Sequence, residues 1–313
     1  MGAVQLTCTF SRFYTKEGTV SSKVYEIPAV YIAGAACSGC SVSLINTIYP
    51  SVQNLLVDPV IPGKHVSLRF HATIMAGQGE PVMKVLRDTA KEIPGEYVLI
   101  IDGSIPTGED GLYCTLGEID GKEVTMMEMA ADLSKKALVV LAVGTCSSFG
   151  GIPSGEPNPT GAKSVMEFLK EQKIDKPVIN IPGCPPYPNW IVGNIADIVS
   201  RGQSTADKLD EVLRPKAFYG ALIHDNCPRR AFFDAGQFAR HTGEPGCLYE
   251  IGCKGPYSYA DCPNRQWNNG TNWCIGAGAQ CIGCVEPDFH DQLAPMFQKI
   301  GEDDLERFKI KTR

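Results

Sequence analysis

Thirteen cysteines lie along this 313-residue chain in a pattern that leaves few folds open. An odd count cannot be paired internally, so the choice is between partial disulfide pairing and metal binding, and spacing arbitrates. Cys37 and Cys40 form a C-x-x-C in the glycine-bearing stretch Gly34-Ala-Ala-Cys-Ser-Gly-Cys. Cys146 stands in Gly-Thr-Cys-Ser-Ser-Phe-Gly-Gly and Cys184 in Pro-Gly-Cys-Pro-Pro. A second group consists of His224, Cys227, Cys247 and Cys253. A third consists of Cys262, Cys274, Cys281 and Cys284, the last two again a C-x-x-C. Cys8 and Cys114 stand apart.

The sequence between the first four cysteines predicts strands over 29–34, 66–71, 97–102, 137–143 and 178–181. Helices are predicted over 42–49, 80–93, 124–134, 162–172 and 189–199. Continuous apolar strands alternating with helices indicate an α/β fold, a doubly wound, flavodoxin-like parallel sheet covered on both faces. Residues 28–205 are assigned to that domain and residues 1–27 to an N-terminal extension. Residues 206–313 form a smaller, irregular C-terminal domain, rich in Gly, Pro, Asn, Cys and Trp up to about residue 290. The whole chain is 43% hydrophobic and can bury a core, but this tail shows no long helical period. A segment of that kind needs a staple other than burial.

Open α/β sheets bind ligands beyond the carboxyl ends of their strands. Cys37 and Cys40 follow the first predicted strand, Cys146 the fourth and Cys184 the fifth, so three loops bring four thiols to one edge. A [4Fe–4S] cluster needs four thiolates on converging loops. A thioredoxin-like pair or a structural zinc site would use two or four of these cysteines and leave the others unexplained. The three cysteines and one histidine of the second group, and the four cysteines of the third, suit zinc as well as an iron–sulfur cluster. Their company with the first group favours clusters, because zinc has no redox chemistry to offer an electron wire.

The ordered motifs resemble the small, iron–sulfur subunit of [NiFe] and [NiFeSe] hydrogenases. They are Cys-Ser-Gly-Cys-Ser-Val-Ser-Leu (37–44), Asp-Gly-Leu-Tyr-Cys (110–114), Val-Gly-Thr-Cys (143–146) and Ile-Pro-Gly-Cys-Pro-Pro (181–186). Gly-Cys-Lys-Gly-Pro (252–256), Trp-Asn-Asn-Gly (267–270) and Cys-Ile-Gly-Cys-Val-Glu-Pro-Asp-Phe (281–289) complete the set. The resemblance implies that Cys37, Cys40, Cys146 and Cys184 hold a proximal [4Fe–4S] cluster. It implies that His224, Cys227, Cys247 and Cys253 hold a distal one, the histidine binding through a ring nitrogen, and that Cys262, Cys281 and Cys284 hold the medial one. In many relatives proline stands at the position of Cys274 and the medial cluster is [3Fe–4S]. Here a fourth thiol is present, so a medial [4Fe–4S] cluster is expected, with [3Fe–4S] if Cys274 does not ligate. Glycines 39 and 151 occupy the positions where oxygen-tolerant relatives carry two further cysteines.

The resemblance further implies electron transfer from H2 oxidation at a nickel–iron centre on a large catalytic subunit, reversible in principle, with no catalytic residue on this chain. The acceptor is expected to be a cytochrome, a quinone-linked protein or a ferredoxin-like protein, and heterodimers could associate further. The rival readings are a complex I-type quinone-reductase subunit, which would not need the second and third groups, and a zinc-stapled interaction protein. The net charge of −6 argues against nucleic acid. No apolar stretch is long enough to span a bilayer. With no signal-like leader, the chain as it stands reads as cytoplasmic, membrane-associated only through partners, and periplasmic had a signal been removed. Cys114 reads as a buried thiol, His71 as a core histidine, Glu80 as a helix-capping carboxylate, and Trp267 and Trp273 as shields around the cluster ligands. Arg229 and Arg230 read as a solvated pair that could steer an acidic electron partner.

Overall fold

The computed structural model describes residues 25–56, 64–201, 208–287, 289–291, 296–301 and 303. Cys8 and most of the expected extension lie outside them. The first half runs β1 (Tyr25–Ala33), α1 (Gly39–Ile45), α2 (Val52–Leu56), β2 (Lys64–His71), α3 (Glu80–Glu92), β3 (Val98–Asp102) and β4 (Ile105–Pro106). It continues with β5 (Thr115–Ile119), β6 (Lys122–Thr125), α4 (Met126–Lys136), β7 (Val139–Val143), α5 (Thr145–Phe149), β8 (Ala162–Lys163), α6 (Val165–Glu171), β9 (Val178–Ile181) and α7 (Pro188–Arg201).

Five strands pair in parallel in the order β2-β1-β3-β7-β9. This is the flavodoxin-type winding, with the chain reversing its direction of travel between β1 and β3. Alternation along each strand sends successive side chains to opposite faces. On one face Tyr31, Ile100, Leu141 and Ile181 pack against Leu44 of α1, Leu55 of α2 and Trp190, Ile191 and Ile195 of α7. On the other, Val30, Ile32, Leu99, Ile101 and Val140 meet α3, α4 and α6 through Leu86, Met126, Leu133 and Phe168.

Several boundaries differ from expectation: the helix expected over 42–49 spans Gly39–Ile45, and the strand expected from 137 begins at Val139. β1 begins at Tyr25, inside the stretch read as an extension. Residues 25–28 pair only with β2, so Glu26 keeps an open side and its charge does not forbid a strand. The helix expected from 124 begins at Met126, because Val124 belongs to the hairpin β5–β6, and Thr125 caps α4 in a capping box with Glu128. The helix expected from 162 begins at Val165, because Ala162 and Lys163 pair with β4, and Ser164 forms the same box with Glu167.

The second half has only short helices: α8 (Lys216–Tyr219), α9 (Arg230–Asp234), α10 (Cys262–Arg265) and α11 (Trp267–Gly270). Its buried Ile223, Leu248, Trp273, Ile275 and Val285 join the cluster that contains α7 rather than a core of their own. Arg214 pins the junction. Buried beneath Tyr219, it meets Asp210 at 2.8 Å and Glu286 at 3.0 Å, and donates to the Val285 carbonyl at 3.0 Å.

Candidate metal centres

The first four cysteines meet at the carboxyl edge of the sheet. Cys37 and Cys40 leave β1, Cys146 lies on α5 directly after β7, and Cys184 follows β9. The sulfur of Cys40 is within electrostatic reach of Cys146 and Cys37, and that of Cys184 is within reach of Cys37 and Cys146. Two glycines allow this crowding. Gly144 has φ +86°, and a Cβ there would stand 2.6 Å from the Cys40 sulfur; Gly151, with φ +56°, would put one 2.7 Å from the Cys146 Cα. Asp102 ends β3 beside Cys40 and accepts from the Tyr31 hydroxyl at 3.0 Å. Burial raises its pKa to about 6, although hydrogen bonds from Cys40, Tyr31 and the Gly103 N–H pull the other way.

His224, Cys227, Cys247 and Cys253 line one small cavity, together with Arg229, Tyr249 and Ile275. The His224 ring meets Phe233 edge-on at 4.6 Å, and its buried Nε2 has no hydrogen-bond partner. Burial, helped by Arg230, lowers its pKa, so at neutral pH the imidazole is the neutral form that can ligate a metal.

Cys262, Cys274, Cys281 and Cys284 gather between these two sites. Cys262 and Cys284 each lie within reach of Cys274, and Cys281 within reach of Cys284 and Cys262. The fourth thiol, Cys274, therefore lies with this group. Tyr187 bonds to Cys262 and stacks on Trp267 with centroids 4.1 Å apart. Trp190 tilts against Tyr187 and Tyr219 and donates to Asp261 at 2.8 Å. This aromatic packing, with Trp273 buried nearby, covers one side of the group, while Cys274 itself is exposed.

Backbone N–H groups point at the sulfurs in a repeated way. Cys37 accepts from the N–H two residues on, that of Gly39, at 3.3 Å, and Cys281 from Gly283 at 3.5 Å. Cys227, Cys247 and Cys253 receive the N–H of Arg229, Tyr249 and Gly255 in the same i+2 relation. Such N–H donors stabilise sulfur anions. Two more join one group to the next: the Cys184 N–H faces the Cys284 sulfur, and the Cys281 N–H faces the Cys253 sulfur.

The donor set fits iron–sulfur clusters. Burial pushes the free thiols of Cys146 and Cys284 up to about 12 and that of Cys253 to about 11. Buried protonated thiols become good ligands when a metal displaces their protons. A zinc ion would draw thiolates to about 2.3 Å of itself, whereas a cluster spreads them over several irons.

The sequence reading did not single out Asp102, Thr145, Tyr187, Arg214 or Lys254. Asp102 carried a signal, a lone acid closing the apolar run Val-Leu-Ile-Ile-Asp; the other four depend on tertiary contact. Cys114 packs with the α3–α4 core, away from the three groups. Glu80 pairs with Lys84 at 2.7 Å in the first turn of α3. His71 is buried against Tyr31, yet only its Nδ1 has a partner, the Thr73 N–H at 3.1 Å. Arg230 is held by Asp234 and Asp225, and Arg229 by the carbonyls of Glu244 and Gly246, so both cations are engaged within the chain. Exposed apolar side chains gather by the first group: Val42 (46%), Ile45 (49%), Ile48 (60%) and Tyr49 (80%) on and after α1. Leu112, Tyr113 and Ile152 are exposed as well.

Two family models match the chain. Residues 219–297 match the family described as the C-terminal part of the NiFe/NiFeSe hydrogenase small subunit. Residues 37–198 match the 20 kDa subunit family of NADH ubiquinone oxidoreductase. The chain is 44% identical over 281 residues to a periplasmic [NiFeSe] hydrogenase small subunit of Desulfomicrobium baculatum, with 87% of each covered. It is 37% identical over 303 residues to a quinone-reactive Ni/Fe-hydrogenase small chain of Wolinella succinogenes, covering 95% of this chain and 80% of that one. Among solved structures, the [NiFeSe] hydrogenase of Desulfovibrio vulgaris Hildenborough superimposes with a TM-score of 0.83 at 41% identity, over 89% of this chain and 99% of that one.

Proposed function

Because the chain belongs to the family of [NiFe] and [NiFeSe] hydrogenase small subunits, we propose that its twelve gathered donors hold three iron–sulfur clusters in a line. The chain is the electron-transfer subunit of a hydrogenase and pairs with a large catalytic subunit. The quinone-reductase rival is not favoured: its family resembles only the sheet portion, while the tail matches the hydrogenase family.

The observation that carries the cluster reading is the grouping itself, three sets of donors with the middle set bonded to both outer ones. We assign Cys37, Cys40, Cys146 and Cys184 to the proximal [4Fe–4S] cluster, within residues 28–205. His224, Cys227, Cys247 and Cys253 are assigned to the distal one, and Cys262, Cys274, Cys281 and Cys284 to a medial [4Fe–4S] cluster, within residues 206–313. Such clusters supply one-electron chemistry at potentials set by cluster type, charge, hydrogen bonds and burial. This chain's residues supply the rest: thiolates and an imidazole as ligands, N–H groups aimed at sulfur, and aromatic rings packed along one side of the middle group.

The apolar skirt of Val42, Ile45, Ile48 and Tyr49 beside the proximal group suits burial under the large subunit. On this reading the proximal cluster lies toward the nickel site and the distal one toward the acceptor. The acceptor is proposed as a cytochrome, a quinone-linked protein or a ferredoxin-like protein. Among the described residues no helix is long and apolar enough to cross a membrane. We propose a cytoplasmic complex; recovery of the native complex in a periplasmic fraction would move it to the compartment in the Desulfomicrobium relative's name.

The test is iron, acid-labile sulfide and nickel quantified on the native complex. About twelve irons with matching sulfide are expected for three [4Fe–4S] clusters, besides the iron of the nickel–iron centre. Zinc without labile sulfide would overturn the reading.

A further inference from the structure

Lys254 separates a distal ligand from a medial one. It follows Cys253 directly, and its N–H donates to the Cys281 carbonyl at 2.7 Å. The Cys281 N–H in turn faces the Cys253 sulfur. The two ligands are thus pinned together across this residue.

Its side chain does not reach water. Lys254 is 1% exposed, and its ammonium donates to the Gln298 carbonyl. The charges that act on it are the sulfurs of Cys253 and Cys281. Among the described residues no carboxylate forms an ion pair with it. An ammonium buried without a counter-charge is unfavourable, and an apolar side chain of similar length would fill the space more easily. The two sulfurs supply the missing negative charge once they are thiolates.

Building on the three-cluster reading, we propose that Lys254 is a tuning residue shared by the medial and distal clusters, its fixed positive charge holding both potentials up. Each cluster becomes more negative by one charge when it takes an electron, and a nearby cation in a dry site favours that reduced state. Lys254 adjoins Cys253 in the chain and is bonded through its N–H to Cys281, so its charge sits beside the outer two groups.

The test is an EPR-monitored redox titration of the intact heterodimer, with iron counted on each sample, for wild type, Lys254→Met and Lys254→Arg. Lys254→Met is expected to move the medial and distal midpoint potentials downward together and leave the proximal one in place. Lys254→Arg, which keeps the charge, is expected to stay near wild type. If Lys254→Met fails to load its clusters, Lys254→Gln, which keeps a donor for the Gln298 carbonyl, is titrated instead. Unmoved potentials at full iron content would overturn the proposal, as would an equal shift in all three clusters or a Lys254→Arg variant that behaves like Lys254→Met. Missing clusters in the wild type would instead sink the three-cluster reading.

Discussion

The Thr145 hydroxyl, one residue before Cys146 of the first group, donates to the carbonyl oxygen of Cys284 in the third group. The same hydroxyl accepts from the Gly183 N–H at 2.9 Å, next to Cys184 of the first group. One buried side chain thus fixes two loops of the first group to a loop of the third. Thr145→Val would leave a buried carbonyl and a buried N–H without this partner, at a cost of about 1–3 kcal/mol. Thermal unfolding of the complex should show the loss, and Thr145→Ser should recover most of it. Equal stability of the two variants would mean that the hydroxyl does not matter.

Cys274 lies within reach of Cys262 and Cys284. Cys274→Ala should convert the proposed medial cluster to [3Fe–4S], with the iron count of the complex falling by about one. A new EPR signal in the oxidised complex would report it. An unchanged spectrum and iron count would make Cys274 a bystander.

His71 stacks flat on Tyr31, centroids 4.0 Å apart and planes 18° from parallel, and burial lowers its pKa from 6.5 to about 4. Below pH 6.5 the unfolded chain takes up a proton that the folded protein refuses. Stability is therefore whole above pH 6.5 and is lost as pH falls toward 4, by roughly 2–3 kcal/mol. His71→Phe keeps the stacking and should flatten that part of the profile. Midpoints of thermal unfolding from pH 7.5 to 4.5 make the comparison; parallel profiles for variant and wild type would refute the assignment.

Val42 and Ile45 stand exposed on α1, just after the proximal C-x-x-C. A carboxylate there would be driven into an apolar interface. Val42→Asp or Ile45→Asp should weaken assembly with the large subunit by roughly thirty- to a thousandfold. Size-exclusion chromatography at falling concentration would show it, and a variant that elutes as wild type would place the interface elsewhere.

What the sequence disclosed and what it hid divide by the range of the interactions. The strands ending at Asp102, Val143 and Ile181 are continuous apolar runs, legible because both faces of the sheet are covered. The hairpin β5–β6 turns at Asp120-Gly121, both at positive φ, a pair that favours this turn; Val124 reads instead as a helix start because it leads into an amphipathic run. The donors of the three groups were legible from spacing and motif order. The contacts between groups were not, because Thr145 and Cys284 are 139 positions apart. Nor could the stack of Trp267 on Tyr187 be read from a tail with no periodicity.

The tail's buried apolar side chains rest mainly on α7, on one face of the sheet, while to the opposite face, closed by α3, α4 and α6, it contributes Leu213 alone among the described residues. Were the tail to come loose, α7 would lose its cover while the far side of the sheet kept nearly all of its own.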